Sequence, residues 1–264
     1  MPSQIELIPM PTAPANTTRN GYKVAIVALL ALVVVLIGVI AQLQRGSSQA
    51  DPGAKDNSSE PAAVIDTSAA KSAEQLEQER FFLEDLPRRQ EGDPLAMGRT
   101  DAKVVLTEWA DYRCPFCSVF AEETLPYLQP LIDDGTLRVE FRDLAIFGDE
   151  SIKAATAARA AGVQGKFFEF AHELYVALPN DGHPDVPDEL VLGIVADLGL
   201  DVDRFKQDWA DPVHAEAVEA DSQEAQGFGL SSTPSFVVGS QFLSGAQPLE
   251  YFQQLIEQQA ALQG

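Results

Sequence analysis

The longest apolar run in the chain, residues 24–44, carries no charge and is almost wholly Val, Ile, Leu and Ala apart from Gly38 and a polar tail. A helix of about 20 such residues spans roughly 30 Å, the thickness of a bilayer's hydrocarbon core, so a transmembrane helix is expected there. Ser48-Gln49-Ala50 offers a signal-peptide cleavage site, but the 23 residues ahead of the run and its length favour an uncleaved anchor. Residues 1–23 lack apolar periodicity and read as a disordered cytoplasmic tail, and residues 45–92, rich in Ser, Ala, Gln, Asp and Glu, read as linker. Within the linker, residues 69–86 have helix-forming composition with Leu76, Phe82, Leu83 and Leu86 apolar. This predicts a stalk helix that Pro87 stops.

From residue 93 to 264 the pattern is that of one folded domain. Residues 103–109 (KVVLTEW) are β-rich and nearly continuous in apolar character, as a buried strand is. Cys114-Pro115-Phe116-Cys117 follows and opens an apolar-periodic helix to about Ile132, which Pro126 is expected to kink. Asp133-Asp134-Gly135 signals a turn, and residues 137–141 alternate as a second strand. Residues 149–228 read as a block of helices broken at 162–165, 179–187, Gly199 and Pro212. Two short strands, 235–238 and 241–243, joined at Gly239-Ser240, precede a last helix from Pro248 to about Leu262. Strand, helix, strand, helical block, hairpin and helix make an α/β domain with a helical insertion.

Charge narrows the function. With 40 acidic against 18 basic residues the net charge is -22, which opposes association with nucleic acid. There are only two cysteines, Cys114 and Cys117, so no disulfide framework staples the fold. A zinc site would need two further ligands, and His172, His183 and His214 are not paired at metal spacing, so no metal is expected.

Cysteines three apart at a helix start lie on one face, close enough to bridge. The unpaired N–H groups and the macrodipole there favour an anion, so a thiol at that place ionises below its free value. Cys114 is therefore expected to be the exposed attacking thiolate and Cys117 the less accessible resolving thiol. Pro115 fits because its missing N–H would be unpaired anyway. Thiol exchange through a mixed disulfide needs no cofactor.

Residues 108–120 (EWADYRCPFCSVF), the later Ser232-Thr233-Pro234-Ser235-Phe236 and the helical block between them resemble the DsbA-like family of extracytoplasmic disulfide oxidoreductases. The resemblance implies a thioredoxin fold with an inserted helical subdomain over residues 93–264, here preceded by one transmembrane helix. It makes Cys114 the nucleophile, Cys117 the resolving cysteine and Pro234 a cis-proline beside them. Thr233 would pair with a bound client strand, Pro115 and Phe116 would face the client, and Glu108 would be a buried acid that moves protons for the resolving thiol. Cysteine-containing secreted or membrane proteins are the implied clients, and a quinone-linked membrane oxidase the implied redox partner. The best-known member has a His where this chain has Phe116, so a weaker oxidant is expected. Basic residues flank the span almost equally, with Arg19 and Lys23 before it and Arg45 and Lys55 after. The persistence of disulfides outside the cytoplasm then places the N-terminus inside and the catalytic domain outside. A reductase or isomerase of the same fold, or a tethered peptide-binding chaperone with incidental thiols, are the alternatives.

Overall fold

The computed structural model describes residues 71–263. The expected tail, the span at 24–44 and the linker up to residue 70 lie outside the described residues, within which no helix is long and apolar enough to cross a membrane.

A five-stranded sheet in the order β1-β3-β2-β4-β5 forms the frame. Its strands are β1 (Ala96–Met97), β2 (Val104–Ala110), β3 (Leu137–Asp143), β4 (Ser235–Val238) and β5 (Gln241–Ser244). β2 runs parallel to β3 and antiparallel to β4, with Glu108 opposite Phe141 on one side and Phe236 on the other. The parallel pair needs a crossover, supplied by α2 (Pro115–Glu123), a 3-10 turn (Leu125–Leu128) and α3 (Gln129–Asp133). Pro126 breaks this connection rather than merely bending it, because a proline inside a helix forfeits a hydrogen bond and clashes with the preceding turn. At the hairpin, Gly239 has φ +56°, and a Cβ there would strike the Gln259 carboxamide that accepts the Ser240 N–H at 2.9 Å.

One sheet face packs on α2 and the C-terminal helix. There Phe120, Phe236 and Phe252 form a trio with centroids 4.6–5.1 Å apart, joined by Val104, Leu106 and Val139. Between β3 and β4 come five helices: α4 (Asp149–Val163), α5 (Phe167–Ala177), α6 (Asp188–Asp197), α7 (Val202–Trp209) and α8 (Pro212–Gly227); α9 (Leu249–Leu262) closes the chain. Six buried alanines of α4 let its neighbours approach closely, and Phe167, Phe170 and Phe205 complete that core.

Two features go beyond the sequence reading. Residues 71–92, read as linker with a stalk helix, pack on the folded domain. Helix α1 (Ala73–Arg80) starts at a capping box between Ser72 and Gln75, passes into a π turn (Phe81–Asp85) and packs Phe81, Phe82 and Leu86 against Trp109, Val237 and Ala225. In β3 the alternating charged residues are interior too, since Arg138, Glu140 and Arg142 are as buried as Leu137, Val139 and Phe141. The segment after α1 covers them, and the Arg88 and Arg89 N–H groups both donate to the Glu140 carboxylate.

Candidate active site

Asp111 builds the turn that delivers the first cysteine. Its Oδ1 accepts the Arg113 N–H at 2.8 Å and its Oδ2 the Ile146 N–H at 2.9 Å, while its carbonyl accepts the Cys114 N–H at 3.1 Å. Cys114 caps α2 in extended conformation, and Pro115 is the first helical residue. The Cys114 carbonyl then accepts from Cys117 and Ser118, which sets Cys117 one turn inside.

Both thiols are free and buried. The expected exposure of Cys114 is corrected: it is only 4% exposed, because the Thr233–Pro234 loop closes over it and the Thr233 carbonyl lies 3.4 Å from its sulfur. The Thr233–Pro234 bond is cis and Pro234 is buried. Phe116 projects outward, 64% exposed, whereas Trp109 is packed away on the far side of the sheet. Chain folding thus brings Glu108, Cys114, Cys117 and Thr233 together, leaves Phe116 on the rim and excludes Trp109.

The two thiols are displaced in opposite directions. Cys114 is lowered from 9.0 to about 6, foremost by the Cys117 thiol donating to it, against the opposing effect of burial. Thr233 and the N–H groups of Cys117 and Phe116 add to the lowering. The Thr233 carbonyl favours the protonated thiol and works the other way. Cys117 is pushed well above its ordinary value, first by burial and then by Cys114. Glu108, 3% exposed, is pushed up from 4.5 to about 8 by burial and then by the charge of Cys114. A carboxyl with that acidity is protonated at neutral pH and close enough to feel the thiolate.

Asp111 and the stacked pair Tyr112 and Tyr175, 5.3 Å apart, were not singled out from the sequence. Only the Asp-x-Arg spacing of an Asx turn signals the first, and nothing local signals the second.

The family model described as Thioredoxin matches residues 90–258. A probable disulfide bond formation protein D of Bacillus anthracis is 31% identical over 148 residues, covering 54% of this chain and 68% of that protein. The crystal structure of oxidised BdbD from Bacillus subtilis superposes with a TM-score of 0.59 at 25% identity, covering 64% of this chain and 94% of that one. A thioredoxin-like oxidoreductase from Silicibacter pomeroyi does so with a TM-score of 0.54 at 28% identity, covering 68% and 96%. An acidified cysteine at a helix cap, a partner thiol one turn later and these relatives agree: the chain belongs to the thioredoxin family, among its DsbA-like thiol-disulfide oxidoreductases.

Proposed function

We propose that this oxidoreductase is a membrane-tethered oxidant of cysteine pairs in secreted or surface proteins, with residues 24–44 as its single span, its N-terminus cytoplasmic and its catalytic domain outside. The observation that carries the reading is the opposite displacement of two chemically identical thiols, one down to about 6 and the other well up. A stabilised thiolate at Cys114 favours the dithiol state, so the disulfide form yields its bond readily to a client. The Bacillus relatives are called disulfide bond formation proteins, which favours the oxidising direction.

In this cycle a client thiolate attacks the Cys114 sulfur of the resting disulfide. The bond to Cys117 breaks, and Cys117 leaves as a thiolate that takes a proton from Glu108. A second client thiolate attacks the client's own sulfur in the mixed disulfide and expels the Cys114 thiolate. The client has lost two electrons and the enzyme has gained them; a quinone-linked membrane oxidase removes them again. Thr233 pairs its main chain with the client strand beside Pro234, and Pro115 and Phe116 line the approach. With Phe116 uncharged, the reduction potential is expected to lie below the roughly -120 mV of the strongest oxidant in the family.

Thiol trapping in cells tests the direction. The Cys114 and Cys117 pair should rest as a disulfide, and Cys114→Ser should leave secreted clients reduced. A pair that rests as dithiol would favour the reductase or isomerase, and unchanged clients in the variant would favour a chaperone.

A further inference from the structure

The residue just before Cys114 ties the active-site turn to a distant piece of chain. Arg113 is nearly buried, its side chain 9% exposed. Its guanidinium donates three hydrogen bonds to main-chain carbonyls, from Nε to Pro184 at 2.6 Å and from Nη2 and Nη1 to His183 and Phe147 at 2.5 Å each. In return the Arg113 carbonyl lies 3.0 Å from His183 Nδ1, and the His183 ring stacks on Phe147 with centroids 3.5 Å apart.

His183 and Pro184 belong to the strap, residues 178–187, that joins α5 to α6. Residues 179–186 take part in no main-chain to main-chain hydrogen bond among the described residues, and 179–183 are solvent-exposed. Apart from Arg113 and the stacking of His183 on Phe147, the strap is held by the buried side chains of Leu178 and Val186 and by Glu150, whose carboxylate accepts the Val186 N–H at 2.8 Å. An extended segment with so few bonds of its own is otherwise free to move. Leu178, Pro179 and Pro184 share a narrow crevice with Cys114 and Pro115.

We infer that Arg113 is a positioning residue that sets client specificity, by holding this strap as a second wall beside Cys114, the first being the Thr233–Pro234 loop. The inference rests on Cys114 being the exchanging thiol, as proposed above. The guanidinium fork suits the task because three carbonyls converge on it, whereas an ammonium group is a point with one set of donors. Attraction to a carboxylate is not what holds the strap: Asp185, the one acid within ion-pair range of Arg113 among the described residues, is 3.8 Å away and 90% exposed. An extended client is oriented by both walls, while a small thiol reaches the sulfur with or without the strap.

The test compares the full chain in detergent micelles with its Arg113→Gln, Arg113→Lys and His183→Ala variants. Each, in the disulfide form, is reacted with reduced glutathione and with a reduced dicysteine peptide. In Arg113→Gln, kcat/KM for the peptide should fall about 10-fold while that for glutathione holds or rises up to about 3-fold. Arg113→Lys should recover part of the peptide rate. Equal losses for both thiols in Arg113→Gln mean a merely structural role and overturn the inference. Should that variant not fold, His183→Ala decides. A selective peptide loss of about 3-fold supports the inference, and equal changes overturn it. A parent protein inert toward both thiols overturns the proposed function itself, whereas an active parent whose preference no variant moves overturns the inference alone.

Discussion

Cys114, Cys117 and Glu108 lie within reach of one another's charge, and each titrates where its surroundings send it. Donors converge on Cys114, burial and then Cys114 itself govern Cys117, and Glu108 has burial plus a neighbouring anion. The Glu108 carboxyl makes no side-chain hydrogen bond among the described residues, so nothing offsets its desolvation. Its folded pKa of about 8 lies above the 4.5 of the free group, so between those values the native protein keeps a proton that the unfolded chain has released. Stability therefore falls as pH rises through that window. Glu108→Gln removes this penalty: at pH 7 the reduced variant should be more stable than its parent by roughly 3 kcal/mol, with the difference vanishing near pH 4. Denaturant titrations of the two dithiol forms at both pH values measure it, and a gap independent of pH would place an ordinary carboxyl at this position. At this scale the cysteines and Pro115 could be read from local order, because capping and spacing are local properties. The enclosure of Cys114 could not, since the covering residue is 119 positions away.

The elements follow the apolar rhythm closely where one face alone is buried. Residues 69–86 show the limit of that rule. Their apolar positions predict a helix, and the structure turns residues 73–85 into α1 and its π turn, but composition gives no sign of what the apolar side would meet. It meets the sheet through Leu86, 6% exposed beside Trp109, Leu144 and Val237. Leu86→Ala is expected to cost about 2–4 kcal/mol in urea unfolding, as for other buried leucines. A cost below about 1 kcal/mol would show a segment that only rests on the surface. β3 shows the converse. Alternating apolar and charged residues ordinarily mark a half-exposed strand, yet Arg138, Glu140 and Arg142 are buried as a ladder of pairs, with Glu140 receiving Arg138 at 2.8 Å and Arg142 at 3.1 Å. Periodicity separates the two faces but is silent on whether the polar one is covered.

Across the molecule, a buried ionic network joins sheet, insertion and N-terminal segment. Arg159 of α4 reaches Asp143 of β3 at 2.6 Å and Asp221 of α8 at 2.5 Å, and Arg88 reaches Asp221 at 2.7 Å and Glu224 at 3.0 Å. Removing one member leaves buried charge uncompensated, so Arg159→Ala should destabilise by about 3–5 kcal/mol at pH 7. Burial already raises Asp143 to about 6 against the pull of Arg159, and without that cation it rises further. A raised carboxyl binds its proton in the native state, so the deficit of the variant should shrink as pH falls from 7 toward 4. Thermal unfolding across that range checks this, and a deficit that grows on acidification would contradict it. The sequence by itself determined most of the elements, the active-site pair at a strand-to-helix junction and the family likeness, because capping, periodicity and motif spacing act over a few residues; it did not show β1. Tertiary structure alone decided that Cys114 is covered, that Glu108 is buried, that Arg113 grips a strap some 70 residues away and that the charged face of β3 is interior. Burial and charge pairing depend on which distant segments meet, and only the folded chain brings those segments together.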